Sequence, residues 1–251
     1  MKIGVVPAAG QGRRLGYLSS ILPKSLFPLY DRPIIHHVMN NLQLLGVNSV
    51  YVIVNFQKDK IVEYFDRLAD SIGIDVNFVV QRKLTGIADA IALTRGYFKE
   101  PFLCILGDDV TLGELSPFVD LFIRNDSVVA EVLANERDES MLKRTCCVEL
   151  AENGLISRIA EKPKRPISHL RGCGVYAFRD DIFDFISRTP RSRKRGEKEI
   201  TDVIAEAAKQ KLATGWILRG RNFNINSYED LFTAWNHLRR EVGLFGKFNH
   251  R

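Results

Sequence analysis

Short apolar runs alternate with amphipathic segments through the first half of the chain. The runs are rich in valine and isoleucine, which is typical of buried strands, whereas apolar residues three and four positions apart indicate helices. Because the two kinds of segment alternate, the pattern predicts a parallel sheet with helices on both faces. The expected strands are Lys2–Val6, Ser49–Val54, Ile74–Val80 and Phe102–Leu106, and the expected helices are Pro33–Leu45, Lys58–Ser71, Ile87–Gly96 and Ser116–Arg124.

The second half of the chain is richer in predicted strands. Glu152-Asn153-Gly154 lies between two of them and indicates a hairpin turn. No repeat or low-complexity linker divides the chain, so we expect a single domain over residues 1–251, with one lobe over 1–125 and a smaller, β-rich lobe with closing helices over 126–251. The expected strands are Val128–Ala134, Thr145–Leu150, Leu155–Ala160 and Gly172–Phe178, and the expected helices are Asp181–Ser187, Glu199–Lys209 and Tyr228–Arg240.

The composition is that of an ordinary globular protein, with 45% hydrophobic and 26% charged residues among 251. No apolar run approaches the roughly 20 residues of a membrane span, and the run before Pro7 is too short for a signal peptide. We therefore expect a cytoplasmic protein with no membrane partner. The four cysteines contain no C-x-x-C pair, so reduced thiols are expected rather than a metal knuckle.

The formal net charge of +6 suits anionic ligands. The densest basic run covers residues 191–198, and no aromatic residues are interleaved with its charges. This pattern favours a solvated loop over a nucleic-acid patch, so no nucleic-acid partner is expected.

A glycine-rich, basic loop directly follows the first expected strand. Gly10 and Gly12 let the backbone approach a ligand closely, and successive N–H groups can then cradle an anion. Arg14 and Lys24 add charge, and their apolar and proline neighbours favour aimed side chains over solvated surface cations. The loop therefore predicts a polyphosphate site. A dinucleotide cofactor is disfavoured, because Leu15 stands where the third glycine of G-x-G-x-x-G would be.

Gly107-Asp108-Asp109 follows another buried run, so it is expected on the same edge of the sheet as the loop. Carboxylate oxygens there suit Mg²⁺, which takes oxygen ligands and keeps several waters. A turn or helix cap is the alternative role for these aspartates. Arg14 and Lys24 on the same edge favour the metal site.

Taken together, these residues resemble the sugar-1-phosphate nucleotidylyltransferases, which include the glucose-1-phosphate thymidylyl- and uridylyltransferases. The phosphate loop of that family reads roughly G-x-G-T-R-L-x-P-x-T-x-x-x-x-K-x-L-x-P, and residues 10–28 match most of it. Further motifs follow in order along the chain. They are Gln81–Ala88 for Q-x-x-x-x-G-x-A, Leu106–Asp108 for L-G-D, Glu161–Pro163 for E-K-P, Arg195–Asp202 for R-G-E-x-E-I-T-D, and Asn226 for the Asp or Asn before the last helix.

The resemblance implies an α/β fold of the Rossmann-like, three-layer α/β/α kind, with a mixed, mostly parallel central sheet and a smaller sugar-binding lobe. It implies transfer of a nucleotidyl group from a nucleoside triphosphate, with UTP or dTTP favoured, to a sugar 1-phosphate such as glucose 1-phosphate. Mg²⁺-assisted in-line attack on the α-phosphate would give an NDP-sugar and pyrophosphate. Residues 1–125 would bind the nucleotide, and residues 126–251 the sugar phosphate.

The resemblance also implies a role for each matched residue. The nucleotide would meet Ala8, Ala9, Gly10, Gly12, Arg13, Gln81 and Gly86. Catalytic contacts would come from Arg14, Lys24, Asp108 and Lys162. The sugar phosphate would meet Cys146, Glu161, Lys162, Gly174, Tyr176 and Arg195. Mg²⁺ would be held by Asp108 and Asn226.

Some of these residues have a second interpretation. Arg13 replaces a threonine of the family, and it either adds charge beside the phosphates or faces solvent. Cys146 replaces a glycine that touches the sugar in many members, so we expect a narrowed or reshaped pocket. Asn226 could instead cap the last helix, but Ser227 can do that itself, which favours Asn226 as a ligand. Tyr176 would be a wall of the sugar site or part of the core.

Two other functions stay open. One is a catalytically silent relative that binds an NDP-sugar as a regulatory subunit, which the intact loop and metal residues disfavour. The other is a cytidylyl- or guanylyltransferase for a different sugar phosphate. A cytidylyltransferase for a non-sugar alcohol phosphate is disfavoured by the complete Glu161-Lys162-Pro163 motif. The tail Leu244–Phe248 could be a subunit contact, so a homo-oligomer is possible. The end at Arg251 predicts that the β-helical acyltransferase domain of longer relatives is absent.

Overall fold

The structure is a computed structural model that describes residues 1–68, 72–193 and 195–244. Its strands are β1 (Ile3–Pro7), β2 (Pro28–Leu29), β3 (Arg32–Pro33), β4 (Ser49–Val54), β5 (Asp75–Val80), β6 (Phe102–Ile105), β7 (Asp109–Gly113), β8 (Val129–Asn135), β9 (Cys146–Leu150), β10 (Ile156–Glu161), β11 (Leu170–Phe178), β12 (Ala213–Ile217) and β13 (Gly220–Asn224). Its helices are α1 (Gly16–Ile21), α2 (Ile34–Leu44), α3 (Lys58–Asp66), α4 (Ile87–Ala92), α5 (Ser116–Arg124), α6 (Glu139–Leu142), α7 (Ile182–Arg188), α8 (Ile200–Lys209) and α9 (Tyr228–Leu244).

The central sheet contains nine strands and is mixed. One path through it runs β10-β9-β11-β6-β1-β4-β5, with β8 paired to β11 and β12 paired to β8. Strand β1 is parallel to β4 and β6, and β4 is parallel to β5, as the alternating pattern of the first half predicts. Strand β11 runs antiparallel to β6, β8 and β9, so it enters the same sheet in the direction opposite to the strands of the first half.

Alternate residues of the buried strands pack on opposite faces of this sheet. Val6 faces helices α2, α3 and α5, whereas Val5 faces α4, α7 and α8. The predicted three-layer arrangement is therefore confirmed. A separate apolar cluster joins Leu15, Phe27 and Leu29 to Ala234 of α9, so it fastens the glycine-rich loop to the last helix.

Five of the described strands are missing from the sequence prediction, and two of them, β2 and β3, are only two residues long. Strands β12 and β13 carry glycine and polar residues and therefore lack a clear apolar alternation, and β7 begins at Asp109, which the sequence suggested was a loop. Strand β13 pairs with β7 and brings Asn224 opposite Asp109. This small ribbon matters because it leads the chain back to the end of β6.

Most other elements lie within a few residues of their predicted bounds. Helix α4 ends at Ala92 rather than Gly96, because turn hydrogen bonds such as Thr94 N–H to the Ile91 carbonyl replace the helical ones. Helix α3 ends at Asp66, and the predicted end at Ser71 lies outside the described residues. The predicted hairpin turn joins antiparallel β9 and β10, with Gly154 at a φ of 79°. The tail from Phe245 onward also lies outside the described part of the chain.

None of the described helices combines the length and the hydropathy that crossing a membrane would require.

Candidate active site

One cavity of about 470 Å³ opens at the carboxyl ends of β1, β5 and β6. This edge is where open α/β sheets bind their ligands. Every site residue expected from the sequence lines the cavity except Arg195, which lies behind Glu161. The structure therefore brings together residues from the whole length of the chain, from Ala8 to Asn226.

Arg14, Lys24, Asp108 and Asn226 meet at one end of the cavity. Arg14 Nη2 donates to Asn226 Oδ1 at 2.7 Å, and Lys24 Nζ donates to the same oxygen at 3.2 Å. Lys24 also forms an ion pair with Asp108, and both side chains are largely shielded from solvent. The buried neighbours Leu15 and Leu26 fix the short turns that carry the two cations. This end therefore combines two positive charges with two side-chain oxygens, one from a carboxylate and one from an amide.

Asn226 is free to face the cations because other groups cap helix α9. Asp230 accepts hydrogen bonds from the backbone N–H groups of Asn226 and Ser227, at 2.9 and 2.8 Å. The Ser227 hydroxyl accepts a return bond from the Asp230 N–H at 3.2 Å. This reciprocal arrangement is a capping box, so the side chain of Asn226 is not needed as a cap.

The two neighbouring aspartates do not act as a pair. Asp108 faces Lys24, whereas Asp109 is buried and accepts hydrogen bonds from Asn222 and Asn224 at 3.1 and 2.7 Å. Burial and the neighbouring Asp108 charge raise the pKa of Asp109 to about 8. Gly174 belongs to this packing, since it has a φ of 63° and a Cβ there would lie 2.4 Å from Asp109 Oδ2. Asp109 is therefore engaged by two amides inside the protein, and the assignment of Asp108 and Asn226 as metal ligands stays a prediction.

Gln81 and Gly86 lie together at a second wall of the cavity. The Gln81 side chain is buried, and its Nε2 donates to the Gly86 carbonyl at 3.3 Å. Gly86 has a φ of 114°, and a Cβ there would lie 2.3 Å from the Lys198 carbonyl oxygen. The Lys198 N–H donates to the Thr85 carbonyl at 2.8 Å. The glycine therefore allows the segment before α8 to pack directly on the loop before α4.

Glu161 is the centre of a charged cluster at the far end of the cavity. Its Oε1 pairs with Lys162 Nζ at 2.8 Å and with Arg195 Nη1 at 3.5 Å, and its Oε2 accepts from the Thr201 hydroxyl at 2.8 Å. Arg195 also pairs with Glu199 at 2.9 Å. Burial and the Glu161 charge raise the pKa of Glu199. Arg195 is therefore placed to orient acids that line the cavity, rather than to line it.

The backbone of the glycine-rich loop also lines the cavity. A Cβ on Gly10 would meet no atom within 4 Å, whereas one on Gly12, at a φ of 62°, would lie 3.0 Å from Lys24 Cβ. Arg13 is exposed at the cavity mouth and donates to Gln11 Oε1 at 2.8 Å. Both alternatives for Arg13 therefore remain compatible with its position.

Part of the basic run makes specific contacts. Arg191 pairs with Asp89 of α4 at 2.6 Å and donates to the Thr85 carbonyl at 3.2 Å. Together with Arg195, it fastens the run to both walls of the cavity. Arg191 therefore has fixed partners although it stays exposed, and Lys194 lies outside the described residues.

The wall near Cys146 contains a residue that the sequence did not single out. Cys146 and Tyr176 are buried side chains that line the cavity. Behind Cys146 lies Glu131 of β8, which is fully buried. Its only sequence signal is a carboxylate within the apolar run of residues 128–134, where a strand buried on both faces disfavours charge.

Comparison with families of known proteins gives one match over most of the chain. The model described as nucleotidyl transferase matches residues 3–239. The bifunctional protein GlmU of Methanococcus aeolicus is 31% identical over 95% of this chain and 54% of its own length. The UTP–glucose-1-phosphate uridylyltransferase AglF of Haloferax volcanii is 31% identical over 80% of this chain and 81% of its own length. The chain thus spans about half the length of the GlmU relatives it matches.

Solved structures share the same fold. A Bacillus anthracis protein described as a "Putative Glucose-1-Phosphate Thymidylyltransferase", in complex with sucrose, superposes with a TM-score of 0.86 at 27% identity, covering 98% of each chain. A UDP-glucose pyrophosphorylase complexed with UDP-glucose also gives a TM-score of 0.86, at 23% identity, covering 96% of this chain and 99% of the other. These superpositions confirm the predicted fold class.

Proposed function

We propose that this chain, which belongs to the nucleotidyl transferase family, transfers a nucleotidyl group from a nucleoside triphosphate to a sugar 1-phosphate. The observation that carries the proposal is a single cavity with two charged ends. One end gathers Arg14, Lys24, Asp108 and Asn226, and the other gathers Glu161 and Lys162. Such a cavity can hold two phosphorylated substrates with their phosphates facing each other.

The reaction needs positioning and charge neutralisation more than proton transfer. An oxygen of the sugar phosphate forms a bond to the α-phosphorus. At the same time, the bond between that phosphorus and the oxygen that bridges the α- and β-phosphates breaks. Pyrophosphate leaves with the bonding electron pair. A phosphate monoester is already an anionic nucleophile at neutral pH, so no general base is required. The barrier is repulsion between two anions and the cost of aligning them.

The chain's cations would lower that barrier from both sides. Arg14 and Lys24 would contact the β- and γ-phosphates and stabilise the charge that grows on the departing pyrophosphate. Lys162 would hold the phosphate of the sugar, and Glu161 would accept hydrogen bonds from sugar hydroxyls. Because Lys162 and Glu161 pair at 2.8 Å, each group is already held in place beside the cavity before the sugar phosphate binds.

The donor set beside Lys24 fits Mg²⁺. A carboxylate and an amide oxygen converge on the Lys24 ammonium, and hard oxygen ligands of this kind suit magnesium. Asp108 and Asn226 would hold the ion, which when bound would neutralise phosphate charge and polarise the α-phosphate. Lys24 would then exchange its carboxylate partner for a substrate phosphate, so neither charge would be left without a counter-ion.

The choice of substrates is proposed from the second wall and from the relatives. Gln81 and the backbone at Gly86 offer both donors and acceptors, which suits a uracil or thymine edge. UTP or dTTP with glucose 1-phosphate, or a related sugar, is therefore the proposed pair. The names of the uridylyltransferase and thymidylyltransferase relatives agree with this choice.

Phosphorus-31 NMR of a mixture of enzyme, Mg²⁺, UTP or dTTP, and glucose 1-phosphate tests the proposal directly. We expect the triphosphate signals to be replaced by those of an NDP-sugar and pyrophosphate. Tight binding of an NDP-sugar without any turnover across related sugar phosphates would contradict the proposal. That result would favour a silent regulatory relative instead.

A further inference from the structure

Behind the sugar end of the cavity lies a carboxyl group that the proposed reaction does not use. Glu131 is completely buried on β8, between the apolar neighbours Ala130 and Val132. Its Oε1 accepts a hydrogen bond from Cys146 Sγ at 3.6 Å. Its Oε2 has no hydrogen-bond partner among the described residues. Burial of a carboxyl group with one unpaired oxygen lowers the stability of the fold, so a functional role would explain why it lies here.

The contact between Glu131 and Cys146 depends on a glycine. Strand β11 pairs with both β8 and β9, the strands that carry these two side chains. A Cβ on Gly172 of β11 would lie 2.1 Å from Glu131 Oε1 and 2.3 Å from Cys146 Sγ. The glycine therefore leaves the space in which the two side chains meet. Gly172 and Cys146 both line the cavity, so the meeting point lies directly behind its wall.

The direction of the hydrogen bond between these two groups follows from its geometry, in which the Cys146 thiol donates to Glu131 Oε1. Burial raises the pKa of Glu131 to about 8, with smaller contributions from Glu161 and Asp109. Burial and the neighbouring acids raise the pKa of the Cys146 thiol well above its usual range. At neutral pH a thiol therefore meets a mainly neutral carboxyl group. When the thiol proton points at Glu131, only the lone pairs of sulfur remain available to the cavity.

We propose that Glu131 is a positioning residue for sugar selection: it holds the Cys146 thiol with its proton turned away from the substrate. The sulfur atom then forms a compact, weakly accepting wall of the sugar subsite. Such a wall accepts a ring hydroxyl and excludes a bulky substituent at the same ring position. This inference rests on the proposed function, and it deepens it by assigning sugar selectivity to a residue outside the cavity lining.

A pair of substitutions separates the two parts of this role. Glu131→Gln keeps a carbonyl acceptor of the same shape, whereas Glu131→Leu removes the acceptor. With the preferred sugar 1-phosphate, we expect Glu131→Leu to raise the KM for the sugar by about 3- to 10-fold, the effect of one lost hydrogen bond. The kcat and the KM for the nucleotide should not change. Glu131→Gln, which keeps the acceptor, should have a sugar KM near the wild-type value.

A double-mutant cycle tests whether Glu131 acts through the thiol. If it does, Glu131→Leu should have no further effect on the sugar KM in a Cys146→Ala background. An infrared band for the Cys146 S–H stretch, assigned by difference from Cys146→Ala, should shift in Glu131→Leu and stay near wild type in Glu131→Gln. Thermal unfolding of each variant checks that the fold persists.

Specific outcomes would overturn the inference. An unchanged sugar KM in a folded Glu131→Leu variant, equal changes in both KM values, or fully additive effects in the cycle would each contradict it. An S–H band at the same frequency in Glu131→Leu and in the wild-type protein would also contradict the inference, and this measurement requires no turnover. Failure of the wild-type protein to turn over any sugar 1-phosphate would instead contradict the proposed function.

Discussion

Lys24 contacts two side-chain oxygens, one from a carboxylate and one from an amide. In the structure its ammonium group contacts Asp108 and Asn226, which are the proposed metal ligands. The motif spacing predicts these three residues as site residues, but spacing along the chain carries no information on which of them touch. Asp108 and Asn226 are 84 and 202 positions from Lys24, so only the fold brings them together. The local cap at Ser227 was predictable, because a capping box needs only four neighbouring residues.

Asp108→Asn removes the carboxylate charge while keeping the shape of the side chain. We expect kcat to fall by about 100-fold or more, because a preorganised charge beside the reacting phosphates is lost. The Mg²⁺ concentration for half-maximal rate should rise as well. Steady-state kinetics over a magnesium series measures both effects.

Asp120→Asn provides the matched control for net charge, because Asp120 is an exposed carboxylate on α5. It should leave both parameters near wild type. Near-normal activity of a folded Asp108→Asn variant would contradict the metal assignment.

Glu131 also gives a pH-dependent stability that can be isolated. Its carboxyl faces Cys146, Tyr176, Asp109 and Glu161, and burial raises its pKa to about 8. An unfolded chain ionises this group near its ordinary pKa, whereas the folded protein holds the proton longer. The ionisation of Glu131 therefore adds no cost to folding below about pH 4, and the folded state loses stability as the pH rises towards 8.

Glu131→Gln cannot titrate, so its stability relative to wild type should rise between about pH 5 and pH 8.5. The expected change in the difference is on the order of 2–4 kcal/mol. Urea unfolding of both proteins at the two pH values measures it. Asp109, which shares the raised pKa, remains in both proteins and cancels. A difference that does not depend on pH would show that Glu131 is ionised in the folded protein.

At the scale of elements, two loops that are far apart in sequence depend on each other. The loop before α4 carries Gly86, and the segment before α8 carries Lys198, whose backbone packs on that glycine. Hydrophobic periodicity predicts both helices, since each has an apolar face, but it cannot show that their preceding loops touch. The ribbon of β7 and β13 was missed for a related reason: its strands are too polar for the pattern to detect.

Gly86→Ala should disturb this junction. The new Cβ would lie 2.3 Å from the Lys198 carbonyl oxygen, and the φ of 114° is strained for any side chain. The displaced segment before α8 contacts the Gly86 loop through Lys198 and the Glu161 cluster through Arg195. We therefore expect the KM values for nucleotide and sugar phosphate to rise together, by about tenfold or more. Initial-rate kinetics with each substrate varied in turn gives both values.

Gly10→Ala is the contrasting variant, because a Cβ there meets no atom within 4 Å. It should keep the fold and affect only the nucleotide KM. If Gly86→Ala changes one KM alone, the two loops do not act as a unit.

At the scale of the whole molecule, one mixed sheet joins two kinds of chemistry at one edge. Its parallel strands β1 and β6 lead to the end that holds Lys24 and Asp108, and β5 leads to the wall at Gln81. The antiparallel strands β9, β10 and β11 border the end proposed for the sugar. The alternation of strands and helices predicts the parallel part of the sheet, because few other folds accommodate that pattern. The return of the chain through β13 to Asn226 follows from no local pattern, and only the family motif anticipates it.

This division predicts that substitutions at the two ends of the cavity impair the binding of different substrates. Arg14→Ala should raise mainly the KM for the nucleotide, and Lys162→Ala mainly the KM for the sugar phosphate, each by about tenfold or more. The exposed Lys164 lies two positions from Lys162 and provides a control, since Lys164→Ala removes an equal charge outside the cavity lining. Equal effects of Lys162→Ala on both KM values would remove its assignment to the sugar end.

The central claim is that one cavity joins a nucleotide to a sugar phosphate with the help of a divalent metal. Pyrophosphate release tests it most directly, measured for the common nucleoside triphosphates against a panel of sugar 1-phosphates, with and without Mg²⁺. We expect release for UTP or dTTP with glucose 1-phosphate or a close relative, only when metal is present, and we expect Asp108→Asn to abolish it. Release without any sugar phosphate, or silence across the whole panel from a folded protein, would contradict it.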